Sequence, residues 1–122
     1  MDIKLLNKVH DFTEWTSLAF EHFNNDRFSD ALTNMRKSGE AVSKLIVFQK
    51  YPGQVGEYKA QKSYKELINL LTDENLVPRK VINWLETFQI HGNIATHDNQ
   101  IVHTQVGYAN MALMLLAVWL FS

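Results

Sequence analysis

The stretch that decides the fold is SDALTNMRKSGEAVSKLIVFQKY, residues 29–51. Its apolar residues recur at steps of three and four, the spacing of one face of an amphipathic helix. They are Ala31, Leu32, Met35, Gly39, Val42, Leu45, Ile46 and Phe48. Ser29 is the expected N-cap, and a loop is expected where Pro52 and Gly53 follow. The stretch therefore predicts a long helix with a buried stripe, and the remaining assignments are built outward from it.

The same spacing recurs on both sides of this helix. Apolar stripes run over residues 3–23, 58–71, 78–97 and 104–121, separated by polar or Gly- and Pro-containing connections. Pro78 stands where a helix tolerates proline, at its start. Residues 100–103 are the only short candidate for a strand. We predict an all-α, antiparallel bundle of about five helices that forms a single domain over residues 1–122. The abrupt apolar end from Trp119 to Ser122 suggests the N-terminal domain of a longer protein.

Composition excludes several classes of function. The chain has 122 residues, of which 46% are apolar and 20% charged, and its net charge is −1, so no overall basic footprint for nucleic acid exists. The absence of cysteine excludes disulfide scaffolds, thiolate metal sites and cysteine nucleophiles. The sequence also contains no Gly-rich phosphate loop, no His-Glu-x-x-His and no serine elbow. We predict no cofactor and a cytoplasmic location.

The last predicted helix contains eleven consecutive apolar residues, from Met111 to Phe121. This run is shorter than the roughly 18 to 20 residues that cross a bilayer. Two interpretations remain: a core helix buried on most sides, which we favour, or a membrane or interfacial helix. We therefore predict no membrane partner.

The segment from His91 to His97 contains the densest set of candidate site residues. On a helix, Asn93 and His97 are four residues apart and lie on one face. Three interpretations are open: a structural role at a helix end, a metal site built from His91, His97, His103 and Asp98, or a metal-independent nucleolytic site with a general acid or base. The spacings do not place the four metal-ligand candidates on one face, and we predict no metal.

This segment also resembles a known family. Gly92-Asn93-Ile94-Ala95-Thr96-His97 resembles the Gly-Asn-x-Ala-x-His signature of the HEPN superfamily, in particular a branch of unknown function found fused to restriction enzymes. Residues 31–45, with Arg36, Lys37 and Glu40, resemble the Arg-Lys-x-x-Glu helix of that branch. Residues 12–32 resemble the N-terminal region of type I restriction motor subunits. These segments lie within residues 12–97, a span of about two thirds of the chain.

The resemblance implies an all-α bundle, frequently a homodimer, associated with antiviral defence, RNA processing or restriction. In nucleolytic members an arginine precedes the histidine by four to six residues and is followed directly by a polar residue. Asn93 and His97 match the polar residue and the histidine. Gly92 stands where the arginine is expected, and His91 supplies a cation only when it is protonated.

Arg36 is the candidate for the missing cation. Arg36 and Glu40 are four residues apart, so they form either an ordinary exposed ion pair or an inward-facing pair directed toward Asn93 and His97. A second basic candidate is the cluster of Lys59, Lys62 and Lys65, which is either a solvated helix face or a weak nucleic-acid surface. These lysines are interleaved with tyrosines.

Three functions follow from these observations. The first is a non-catalytic HEPN-like module for interaction, dimerisation or nucleic-acid association within a restriction or defence protein. The second is a metal-independent ribonuclease that uses His97 and Asn93. The third is a structural adaptor without a nucleic-acid role. The predicted partner is a second copy or a covalently following enzyme domain, with RNA or DNA as a further candidate.

Overall fold

The structure is a computed structural model, which describes the backbone of residues 3–51, 63–97 and 103–122 and the side chains of residues 7, 9–51, 63–91 and 104–122. Five helices account for nearly all of the described backbone, and these ranges contain no strand. The helices are α1 (Ile3–Asn24), α2 (Phe28–Lys50), α3 (Tyr64–Asp73), α4 (Arg79–His97) and α5 (His103–Phe121). The predicted all-α helical bundle is confirmed.

Helix α2 is the centre of the bundle, because it packs against each of the other four helices. Its predicted stripe is buried except for Ile46, which is partly exposed. The sequence pattern missed that small polar residues of α2 are buried as well: Asn34, Ser38 and Ser43. The hydroxyl of Thr16 on α1 donates to the hydroxyl of Ser38 over 3.2 Å, and Ser38 in turn donates to the Asn34 carbonyl. A short polar contact therefore lies inside the largest helix–helix interface of the molecule.

Two helices end in the same backbone arrangement. Asp26 and Asn75 have positive φ angles of 60° and 52°. After α1, the amide of Arg27 donates to the His22 carbonyl, and after α3 the amide of Leu76 donates to the Leu71 carbonyl. This is the Schellman pattern of a left-handed residue just beyond the helix end. The helices α1 and α3 thus end where polar connections follow the predicted stripes over residues 3–23 and 58–71.

The helix starts differ from the predictions at two places. Helix α2 begins at Phe28, and its N-cap residue Arg27 makes no side-chain cap, so the prediction of Ser29 as N-cap is wrong. Ser29 lies in the first turn instead, where its carbonyl accepts from the Thr33 hydroxyl. Ser63 is not helical, so the predicted helix over 58–71 does not run unbroken; residues 58–62 lie outside the described residues.

A capping box starts α3. The Ser63 hydroxyl accepts from the Glu66 amide over 3.2 Å, and the Glu66 carboxylate accepts from the Ser63 amide. This reciprocal pair satisfies two amides that a helix start otherwise leaves free. The same signal, serine followed three residues later by glutamate, is readable in the sequence.

Gly39 is the point of closest approach among α2, α3 and α4. A Cβ atom placed there would collide with the Tyr64 hydroxyl and lie 3.0 Å from Cδ2 of Phe88. The Tyr64 ring is buried, and its hydroxyl donates to the Leu85 carbonyl of α4 over 2.7 Å. Because Gly39 has no side chain, the Tyr64 hydroxyl fits between α2 and α4. The tyrosine, on α3, thereby contacts both other helices.

We expect Gly39→Ala to lower the free energy of unfolding by about 1–3 kcal/mol, because the tyrosine ring and Phe88 would have to shift in a packed core. Denaturant unfolding measures this difference. Ser17→Ala, at an exposed position on α1, is the control, since it adds no atom to the packed core. Ser17→Ala should leave stability unchanged or raise it by up to about 0.5 kcal/mol through helix propensity. Equal losses in both variants would contradict the role of Gly39.

Candidate functional site

The most unusual surface of the molecule lies on α5. Four side chains of one face, Tyr108, Met111, Leu115 and Val118, are 74%, 63%, 46% and 69% exposed. They follow one another at steps of three, four and three residues, which is the spacing of a coiled-coil seam. We call these four residues the α5 seam. Met114 and Phe121 flank it and are also more than half exposed.

The opposite face of α5 holds the helix in the bundle. Val106, Ala109, Leu113 and Leu116 are fully buried, and α5 packs against α4, α2 and α1. Only 28% of the residues from Thr104 to Phe121 are buried. The prediction that this helix is buried on most sides is therefore wrong. The helix begins at His103, one residue before the predicted stripe over residues 104–121.

A groove beside the seam extends the apolar surface onto α4. It encloses about 780 Å³ between α4 and α5. Its walls are mainly apolar and aromatic, with a few polar side chains, and its residues are Asn83, Trp84, Thr87, Thr104, Gly107, Tyr108, Met111, Ala112 and Leu115. Gly107 leaves the groove open, because nothing lies within 4 Å of its missing Cβ. Ile90, 56% exposed and one turn beyond Thr87, continues the α4 wall.

Thr104–Phe121 is long and apolar enough to cross a membrane by length and composition. This is weak evidence, since core helices of soluble proteins satisfy the same criterion. The buried face of α5 is part of the bundle core. Leaving the bundle would expose Val106, Leu113 and Leu116.

Arg36, the candidate cation, lies against α3. Its guanidinium carbon is 5.9 Å from the centre of the Tyr64 ring, and its buried Nε has no hydrogen-bond partner among the described residues. The predicted ordinary ion pair with Glu40 is wrong, because the Glu40 carboxylate pairs with Lys44 at 2.9 Å. Arg36 is half-buried and forms no ion pair within the described part of the chain. Its contact with the Tyr64 ring is a cation–π interaction.

Tyr64 connects Arg36 to the contact of α2, α3 and α4 at Gly39, which we call the packing centre. Burial raises the pKa of the Tyr64 hydroxyl well above its ordinary value of 10.0; the charge of Arg36 opposes this and that of Glu40 adds to it. Burial thus favours the neutral, protonated form of the Tyr64 phenol in the folded protein. It acts as a hydrogen-bond donor to Leu85 and as a face for Arg36.

The HEPN-like signature falls on α4, whose backbone is helical through His97. Asn93 and His97 are therefore four residues apart on one helix, as predicted; their side chains, like those of Asp98 and His103, lie outside the described part. Burial lowers the pKa of His91 below its ordinary value of 6.5. Its imidazole is accordingly neutral at pH 7, which argues against His91 as the substitute cation.

The lysine cluster is described at one position. Lys65 is exposed on α3, whereas Lys59 and Lys62 lie outside the described residues. Among the residues that are described, no group of three or more histidine, aspartate or glutamate side chains is placed to hold a metal ion. The described charges thus form no concentrated basic or acidic centre comparable with the apolar surface of α4 and α5.

The α5 seam is not predictable from the apolar periodicity of the sequence. The buried residues 106, 109, 113 and 116 follow the same steps of three, four and three as the exposed ones. Both faces are apolar, so periodicity does not distinguish them. The readable signal was the absence of Asp, Glu, Lys and Arg from residues 103–121, which leaves no face of the helix marked as solvent-exposed.

Comparison of the chain with known protein families, curated proteins and solved structures identifies no relative. No protein-family model matches the sequence, and no curated protein or solved structure is significantly similar to it.

Tyr64→Phe tests the packing centre. Removing the buried hydrogen bond should lower the free energy of unfolding at pH 7 by about 0.5–1.5 kcal/mol. Because the folded-state pKa of Tyr64 is raised, its contribution is complete below pH 10 and is lost as the pH rises above that value. Urea unfolding between pH 8 and 11 should therefore show a steeper decline for the wild type than for Tyr64→Phe. Ser17→Ala, which removes an exposed hydroxyl on α1, is the control that should keep the wild-type profile. A parallel decline in Tyr64→Phe and the wild type would contradict the assignment.

Proposed function

We propose that this chain is a non-catalytic protein-interaction module whose binding surface is the α5 seam and the adjoining groove. One observation carries the proposal: an uncharged helix, packed firmly on one side, exposes a continuous row of large apolar side chains on the other. Monomeric soluble proteins rarely leave such a patch without a partner. The partner surface that matches it is apolar and uncharged.

The chemistry of the surface favours a protein partner over a nucleic acid. Affinity for nucleic acids depends mainly on cations that contact phosphates. Residues 103–121 contain no lysine or arginine, and the α4 side of the groove presents Asn83, Trp84 and Thr87. Aromatic and methionine side chains such as Tyr108 and Met111 are the types enriched at protein interfaces.

The family resemblance supplies the biological setting of this proposal. A HEPN-like module in a restriction or defence protein would use such a surface to dimerise or to dock an enzyme domain. This setting depends on the sequence motifs alone and stays a prediction, as do the cytoplasmic location and the role of the lysine cluster.

A photo-reactive phenylalanine analogue at position 115 tests the interaction in cells. We expect it to form covalent adducts with protein, because Leu115 lies in the middle of the seam. The matched control is the same analogue at Asn69, an exposed position on α3, which should form none. Absence of protein adducts at position 115, or adducts with lipid or nucleic acid alone, would overturn the proposal.

Cleavage of a mixed RNA pool tests the non-catalytic assignment against the ribonuclease alternative. We expect the wild type, His97→Ala and Arg36→Ala to leave the RNA equally intact, because Arg36, the candidate cation, is half-buried and held against the Tyr64 ring. Cleavage by the wild type that is lost in His97→Ala, with both proteins folded by circular dichroism, would instead establish a catalytic site.

A further inference from the structure

We infer that the occupant of the α5 surface is a second copy of this chain, related by a two-fold axis that passes close to the seam. This inference rests on the proposed function, since it names the partner of the same surface. Three properties of the surface support it: its area, its lack of charge and its shape.

The exposed apolar area matches what one copy contributes to a stable dimer. Seven large apolar side chains are exposed by 46% to 74%: Ile90, Tyr108, Met111, Met114, Leu115, Val118 and Phe121. A fully exposed aromatic side chain such as Tyr108 or Phe121 presents roughly 150–250 Å², and the other five somewhat less, so the exposed parts of the seven amount to on the order of 800 Å² together. A standard protein interface buries about 800 Å² on each partner. The patch is thus large enough for a complete interface and larger than the patches typical of monomers.

The charge distribution permits two identical surfaces to meet. A two-fold interface places the same surface patch on both sides, so any charge near the axis faces its own copy. The seam and its flanks belong to a helix without a charged side chain. No like-charge repulsion and no unpaired buried charge opposes self-association there.

The surface combines a row of exposed side chains with a groove. Met111 and Leu115 lie on the wall of this groove, which is open above Gly107, and Val118 continues the exposed row beyond it. A two-fold rotation about an axis near the seam places exposed side chains of each copy, Val118 among them, against the groove of the other. Large side chains then fill space that the missing side chain of Gly107 leaves empty.

The same helix is poorly suited to a lipid surface. Helices that lie in the membrane interface are rich in lysine and arginine on their polar face. The opposite face of α5 is instead an apolar part of the core, with Val106, Ala109 and Leu113 fully buried. A bilayer would therefore meet the seam without the electrostatic contribution that anchors such helices.

Sedimentation equilibrium of the whole purified chain tests the inference. We expect a species of twice the 14.1 kDa chain mass. Leu115→Lys should raise the dissociation constant at least ~100-fold, because two unpaired ammonium groups would have to be buried at the interface. Asn69→Lys adds the same charge at an exposed position on α3 and should leave the dimer intact. Circular dichroism of each variant establishes that the monomer remains folded.

Disulfide trapping gives a second, independent readout, because the chain contains no cysteine of its own. Single cysteines at positions 111, 115 and 118 should include at least one that cross-links to its own copy on mild oxidation, while Asn69→Cys should not. A wild type that is monomeric up to millimolar concentration and no cross-link along the seam would overturn the inference.

The photo-adducts in cells distinguish failure of the second-copy inference from failure of the proposed interaction function. Adducts at position 115 with a different protein, from a chain that is monomeric in solution, would reject the second copy and retain the interaction surface. Wild-type chain that co-sediments with phosphatidylglycerol vesicles, with binding lost in Leu115→Lys and no dimer formed, would reject both in favour of a membrane. Absence of any adduct would reject the proposed function itself.

Discussion

The rest of the bundle depends on the contact between Gly39 and the Tyr64 hydroxyl. Helix α2 approaches α3 and α4 at the same point because Gly39 has no side chain, and the tyrosine occupies the space that this leaves. Its hydrogen bond to Leu85 satisfies a polar group that burial would otherwise leave unpaired. The capping box at Ser63 fixes the start of α3 directly beside this tyrosine, so a local signal places a long-range contact. Arg36 is held over the same ring, which ties the one half-buried arginine of α2 to the packing centre rather than to an exposed ion pair.

Helix α5 differs from the others because its sequence does not distinguish inside from outside. In α3, the polar and apolar residues lie on opposite faces of the helix, and Tyr64, Leu67, Ile68 and Leu71 are buried. In α5 nearly every residue after Ala109 is apolar, and the bundle covers only the face that contacts α4, α2 and α1. The number of neighbouring helices, rather than the hydrophobicity of α5, therefore decides which of its residues remain exposed. An uncovered apolar face is the observation that makes binding, rather than catalysis, the function that the geometry supports.

Local chemistry made the fold class and most of the helices predictable. Periodicity identified the stripe of α2, Pro78 marked the approach to α4, and the polar connections after the stripes over residues 3–23 and 58–71 marked two helix ends. The errors arose where tertiary contacts decide. Ser29 has the right chemistry for a cap but is the second residue of α2, and the Glu40 carboxylate pairs with Lys44 rather than with Arg36 although both lie four residues away. The site was less predictable than the fold, because the seam residues differ from the core residues of α5 only in that no other helix packs against them. The helical path of Asn93 and His97 was predicted correctly, whereas the chemistry assigned to them stays a prediction.

The two left-handed residues have a consequence for the unfolded chain. Helix ends with positive φ are commonly glycine, but here they are Asp26 and Asn75, and no described glycine has a positive φ. Glycine is used at Gly39 for clearance between helices instead of for turning the chain. A residue with a side chain has fewer backbone conformations available before folding than glycine does, so less conformational entropy is lost when the turn forms. The two turns thus accept some local strain in the native backbone in exchange for a more restricted denatured ensemble.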